Sequence, residues 1–301
     1  MLRWRLIIGT VLVCLLLGLC WLDAHAKQPG IYLFPLVAAI SLLATAELIR
    51  MFRALGYDPL SWALQAGTLL AVLGACVPIA WQVPDSPVGS LGFLAGGMIA
   101  GLVVNIVAEM LRYRQPGKTI MRIALASFTV LYLGGLLGFL VQLRLLPVDG
   151  NVSLGGMLVL FSMIAVVKFT DIGAYFAGRI WGRHKMAPVL SPGKTWEGAA
   201  GGMLLAVVAS LFCLGPLGRM IDFSTNREWP MWLAGAVGYG FVVGLAGMLG
   251  DLAESLLKRD AGVKDSSDWL PGFGGVLDLM DSLLIAGPVA YLLWVSGWVG
   301  P

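Results

Sequence analysis

Nine stretches of this chain, near residues 5–22, 31–49, 60–81, 90–111, 120–141, 153–170, 199–218, 231–250 and 282–299, are apolar over the length that a helix needs to cross a bilayer. Crossing about 30 Å of hydrocarbon takes roughly 20 residues at helical rise, and a backbone in that medium must satisfy its own hydrogen bonds. The runs lack period-two alternation, so they predict helices and not the strands of an outer-membrane barrel. The expected fold class is all-α: a polytopic integral membrane protein with about nine transmembrane helices and a cytoplasmic N-terminus. Composition agrees, since 12% of the residues are charged where a soluble domain carries roughly 25%.

The basic residues fix the expected orientation. With the N-terminus inside, the connections on that side hold Arg3, Arg5, Arg50, Arg53, Arg112, Arg114, Lys118, Arg122, Lys168, Arg179, Arg183, Lys185, Lys194, Lys258, Arg259 and Lys264, which is 16 of the 20 Lys and Arg. Lys27, Arg144, Arg219 and Arg227 fall on the other side, the asymmetry that the positive-inside rule predicts. These cations lie between spans and not on one soluble face, so the net charge of +3 implies no nucleic-acid partner. Met1 to Ala26 has the basic start and Ala24-His25-Ala26 ending of a secretion signal, but its apolar run is longer than such signals carry and is read as the first span.

Cys14, Cys20, Cys76 and Cys213 all lie inside spans without C-x-x-C spacing and read as small packing residues. No repeat or linker marks a second soluble domain. The expected division is 1–150, a scaffold of N-terminal helices, and 151–301, helices that carry the catalytic segments. Gly240, Gly244 and Gly247 predict close helix approach, and the glycine-rich spans permit a homodimer.

Two ionic segments interrupt this hydrocarbon, and both fall on the expected cytoplasmic face, where they can converge. From Asp251 to Asp281 the chain holds seven of its 17 acidic residues. Asp251, Glu254, Ser255 and Lys258 share one face if the eighth span continues as a helix, and Asp278 and Asp281 stand a turn apart at the start of the ninth, where the dipole favours anions. Pro271-Gly272 and Gly274-Gly275 can reverse the chain between them and bring Asp251 towards Asp278 and Asp281. Hard carboxylates without histidine or cysteine suit Mg²⁺ or Mn²⁺ and argue against zinc. Taken singly, Asp278 and Asp281 also read as helix caps and Asp251 as a solvated ion pair with Lys258. The whole group, with Lys258, Arg259 and Lys264, suits a metal-bound polyphosphate.

In the other segment Asp171, Tyr175 and Arg179 recur on one helical face. Gly193-Lys194-Thr195 resembles the end of a P-loop, but Pro188 stands where the first glycine is required and no strand is expected before it, so that reading is rejected. Ser191, Lys194 and Thr195 can contact phosphate, or Ser-Pro and Thr-x-Glu can form a turn and a helix cap. His184 reads as a solvated basic loop residue. Glu47 near Arg50 and Glu109 near Arg112 read as pairs across one helical turn with no chemistry assigned.

At Ser255-x-x-Lys258-Arg259, Lys264-Asp265, Pro271-Gly272-x-Gly274-Gly275 and Asp278-x-x-Asp281, the chain resembles the phosphatidate cytidylyltransferases, also called CDP-diacylglycerol synthases. The stretches from Gly250 to Ser255 and from Ser191 to Gly202 resemble that family too. The resemblance implies transfer of a cytidylyl group from CTP to phosphatidate in the bilayer, with Mg²⁺ required, in a bacterial cytoplasmic membrane. Carried onto this chain, Asp251, Asp278 and Asp281 would hold the metal, Lys194, Lys258 and Arg259 would neutralise the leaving pyrophosphate, and Asp171, Ser191, Thr195, Ser255, Lys264 and Asp265 would line the substrate site. Phe273 and Leu279 replace the family's histidine and arginine. The attacking phosphate monoester is largely dianionic near neutral pH and needs no base, whereas the missing arginine removes a bidentate phosphate contact. The alternatives are a CTP-dependent polyprenol kinase, which would need a base, and a transporter or inactive lipid-binding homologue; a transporter would place its charges near mid-membrane.

Overall fold

The computed structural model describes residues 2–81, 87–148, 152–221, 228–267 and 274–299. Arg227, Asp268, Pro271, Gly272 and Phe273, and the expected division point at 150, lie outside the described residues.

The helices run in the order α1 (Leu2–Ala24), α2 (Leu33–Ala54), α3 (Ser61–Ala80), α4 (Pro87–Arg112), α5 (Thr119–Leu145), α6 (Val152–Trp181), α7 (Trp196–Met220), α8 (Trp229–Asp260) and α9 (Val276–Val295). Eight of them, α2 to α9, are long and apolar enough to cross a membrane, and α1 has a shorter apolar stretch, Gly9–Ala24. The all-α membrane architecture follows from the apolar runs. Helix ends do not: α6 continues to Trp181, α8 to Asp260, and α9 begins at Val276, because polar residues extend a helix once its apolar part is anchored. A short antiparallel hairpin, β1 (Lys185–Ala187) with β2 (Ser191–Thr195), corrects the expectation that no strand precedes α7. α5 and α7 each contain a π-turn, Val130–Gly135 and Cys213–Leu217; the second holds Pro216, which has no N–H for a regular turn.

The chain forms two compact units. The first comprises Met1–Leu145 and Lys258–Met280, so the segment that carries much of the acidic motif belongs with the N-terminal helices. Its core contains Leu64, Ala71, Val72, Leu133 and Leu137, all nearly inaccessible. Gly67 of α3 and Gly101 of α4 face each other so closely that a Cβ on Gly67 would stand 3.1 Å from the Gly101 carbonyl. Beside them Asn105 donates to the carbonyls of Ala63 (3.0 Å) and Gly101 (2.9 Å), which keeps its amide satisfied away from water. At the other end of α1, Asp23 is wholly buried against Arg144 of α5 (2.7 Å) and accepts from the N–H groups of Gly30 and Tyr32.

The second unit comprises Leu146–Leu257 and Asp281–Pro301. Small residues again set its packing. Gly173 of α6 meets the Gly201 carbonyl of α7, and Gly240 and Gly244 of α8 meet Ala206, as their spacing predicts. Val159, Met163, Val167, Tyr239, Val243, Leu284 and Ala290 fill its interior, where the Tyr239 hydroxyl lies 3.0 Å from that of Ser162.

Candidate active site

In the second unit, α6, β2, α8 and α9 bring five charged groups into one neighbourhood. Lys194, near the end of β2, donates to Asp251 Oδ2 of α8 at 2.8 Å and to the Met248 carbonyl at 3.4 Å. The two segments that the sequence separates by more than fifty residues therefore do converge at this pair. Asp171 lies within electrostatic range of Asp251 and Lys194 and pairs with Lys168 at 3.5 Å; Asp281 lies within range of Asp251 and Lys168. At Gly250 a Cβ would stand 3.0 Å from Ser282 Cα, so α8 and α9 touch backbone to backbone beside their acids. Ser255 approaches Asp251 Oδ1 at 3.5 Å, and Ser282 donates to Asp281 through its N–H and hydroxyl. Lys194 and Asp251 are both partly exposed, at 20% and 34%, so a solute can reach them.

In the first unit Lys258 donates to Asp278 Oδ1 at 2.5 Å. The alternative of a solvated pair of Asp251 with Lys258 gives way to two other pairs, Asp251 with Lys194 and Asp278 with Lys258. Asp278 Oδ2 accepts from the Ser266 N–H (2.9 Å), the Ser266 hydroxyl (2.6 Å) and the Gly275 N–H (2.8 Å). The last bond caps the start of α9. Gly274 takes φ +84°, a conformation that favours glycine, and a Cβ on Gly275 would collide with the Ser266 hydroxyl and the Glu47 carboxylate.

Glu47 corrects the sequence reading most. It is 1% exposed, and its carboxylate accepts from the hydroxyls of Ser266 (2.8 Å) and Ser267 (3.0 Å) and from the N–H groups of Val276 and Leu277 (2.9 Å each). The expected pairing with Arg50 gives way to this loop more than two hundred positions away. Two weak signals pointed there: a carboxylate inside an apolar span, and a glycine, Gly275, whose missing Cβ leaves room for it. Glu109 keeps the expected partner Arg112, at 4.0 Å, and adds a closer one, Arg122, at 2.8 Å.

Thr195 is buried, and its hydroxyl accepts from Gly198 N to cap α7, while Ser191 is partly buried at the start of β2. Arg259, Lys264 and Asp265 are exposed, and Leu279 is partly buried in α9. His184 is not a solitary loop residue: its Nδ1 lies 2.6 Å from Glu197 Oε1, and Glu197 also accepts from the N–H groups of Arg183 and His184. Among the described residues no group of three or more His, Cys, Asp or Glu side chains is arranged to hold a metal by itself. Mg²⁺ does not demand one, because it is commonly held by one or two carboxylates with substrate phosphates and water completing the shell. Asp251 and Asp281, all-oxygen donors on touching helices, fit that description.

A helical membrane protein that sets lysines against carboxylates at the ends of its spans is the class defined by this fold and site. The chain belongs to the cytidylyltransferase family, whose sequence profile matches residues 3–296. It is similar to the phosphatidate cytidylyltransferases of Pseudomonas aeruginosa (44% identity over 143 residues, 47% of this chain and 49% of that protein) and Haemophilus influenzae (42% over 134 residues, 44% of each). Similarity to the protein of that name from Mycobacterium bovis runs the length of the chain, at 31% identity over 295 residues, 95% of this chain and 87% of the other. The chain spans about half the length of the first two relatives and most of the third.

Proposed function

We propose that this protein transfers a cytidylyl group from CTP to phosphatidate, giving CDP-diacylglycerol and pyrophosphate, at the cytoplasmic face of a bacterial cell membrane. The observation that carries the reading is the contact of Lys194 with Asp251, which joins the two ionic segments beside Asp171 and Asp281. Family membership and the names of the relatives supply the substrate class.

The lipid phosphate attacks the α-phosphorus of CTP as a dianion, and the P–O bond to the β-phosphate breaks as pyrophosphate leaves. No side chain must take a proton from the nucleophile. What the protein must supply is positive charge where it accumulates on the leaving group, from cations that are already oriented. Lys194 and Lys258 meet that need: each is held by a carboxylate, Asp251 and Asp278, and so pays little ordering entropy when it turns to phosphate. Arg259 adds exposed charge one residue on. Asp251 and Asp281 would hold Mg²⁺, and Asp278 joins that assignment on the sequence motif; the ion supplies Lewis-acid stabilisation of the phosphate oxygens. The lipid enters from the bilayer with its head group at the helix ends.

Purified protein with Mg²⁺, phosphatidate and α-labelled CTP should form lipid-soluble label. Asp251→Asn and Lys194→Ala should each lower that rate about 100-fold or more, the usual cost of losing one preorganised electrostatic contact. Chelation should abolish it, and Mg²⁺ or Mn²⁺ should restore it. Label in lipid from γ-labelled but not α-labelled CTP would mean phosphoryl transfer instead, and unchanged rates in both variants would remove these residues from the reaction.

A further inference from the structure

We propose that Glu47 is a positioning residue for the reaction: from α2 it holds both ends of the motif segment, Ser266-Ser267 and Val276-Leu277, and so sets Asp278 against Lys258. The inference rests on the cytidylyl-transfer reading for its kinetic part only. All the groups concerned belong to the first unit.

Val276 and Leu277 carry two of the N–H groups that the first turn of α9 leaves without helical partners, and both are given to Glu47, one on each oxygen. The Gly275 N–H is given to Asp278. The start of α9 is therefore capped by two carboxylates at the positive end of its dipole, one local and one from a distant helix. On the other side of the segment, the Ser267 hydroxyl donates to Glu47 Oε1, and the Ser266 hydroxyl lies within bonding distance of both Glu47 Oε2 and Asp278 Oδ2. A serine has one proton, so this hydroxyl serves either carboxylate in turn and links them. When Lys258 turns from Asp278 to a substrate phosphate, the Ser266 hydroxyl can shift its proton towards Asp278 while Glu47 keeps the Ser267, Val276 and Leu277 donors. The segment then stays in place as its charges rearrange. Gly275 is required for the same reason, since a side chain there would occupy the carboxylate's place.

The test uses this chain and three variants: Glu47→Gln, which keeps the shape but turns an acceptor into a donor facing donors; Glu47→Asp, which keeps the charge on a shorter stem; and Ser267→Ala, which removes one of these bonds. Glu109→Gln, a second buried carboxylate with no bond to the segment, is the control. Two readouts are taken, steady-state kinetics with CTP and phosphatidate, and amide hydrogen exchange across 262–267 and 274–279. Glu47→Gln should lower kcat about 100-fold, the scale of a small misplacement of catalytic groups, with KM for phosphatidate little changed. Its exchange should quicken in those two stretches while α3 and α4 stay protected. Glu47→Asp should recover part of kcat, Ser267→Ala should fall between Glu47→Gln and wild type, and Glu109→Gln should match wild type in kcat. Exchange that quickens equally in every helix, or kcat of Glu47→Gln within twofold of wild type, overturns the proposal. If wild-type protein forms no CDP-lipid, the reaction assignment fails, and the exchange measurement still decides what Glu47 holds.

Discussion

Asp23 and Arg144 show how a single residue can matter without belonging to any motif. The pair stands 121 positions apart, both members are essentially inaccessible, and Asp23 also orders the Gly30 and Tyr32 backbone. Removing one member of such a pair leaves the other charge buried, at a cost of about 3–5 kcal/mol. Asp23→Asn should therefore lower the unfolding midpoint in detergent by several degrees. Asp58→Asn, which breaks the exposed pairs with Arg53 and Arg112, should cost under about 1 kcal/mol and barely move it. Equal shifts would mean that the buried pair contributes no more than a surface contact. No sequence spacing announces this bond. The local patterns that were legible, Asp278 at the start of a helix and Thr195 before one, were legible because capping is decided within one turn. Glu47 and Asp23 answer to partners brought near only by the fold.

At the scale of elements, apolar runs locate the helices and glycines locate their closest contacts. Ends are less legible, because α6 and α8 run on through polar residues, from Asp171 to Trp181 and from Asp251 to Asp260, past the hydrocarbon stretch. Just before α9, Gly274 and Gly275 were legible only as a chain reversal, and the structure explains both. Gly275→Ala should push a methyl group into the Ser266 hydroxyl and the Glu47 carboxylate. Its expected effect resembles that of Glu47→Gln, with cytidylyl transfer down about 100-fold and helix content by circular dichroism unchanged. Gly96→Ala in α4, where a Cβ meets nothing within 4 Å, should leave both untouched. Full activity in Gly275→Ala would show that the segment can shift without cost and that the close approach is incidental.

For the whole molecule, the chain divides differently from its sequence order: Lys258–Met280 joins the N-terminal helices, and Asp281–Pro301 joins the second unit. A linear reading could not find this, because α8 and α9 are continuous helices and only long-range partners such as Glu47 assign their ends. The proposed orientation, in contrast, rests on the linear sequence alone. With the nine helices alternating, Lys and Arg divide 16 to 4, and one of the four, Arg144, is already neutralised by Asp23, which leaves 16 to 3. In the proposed orientation the segments around Lys194 and Lys264 face the compartment where CTP is made. In intact cells, single cysteines placed at exposed Lys264 and Pro192 in a chain stripped of its four native cysteines should resist a membrane-impermeant maleimide until the membrane is opened. One at exposed Lys27 should react at once. Labelling of Lys264→Cys from outside would reverse the topology and would place Lys258, six residues away, beyond the reach of CTP, so the proposed reaction would fall with it.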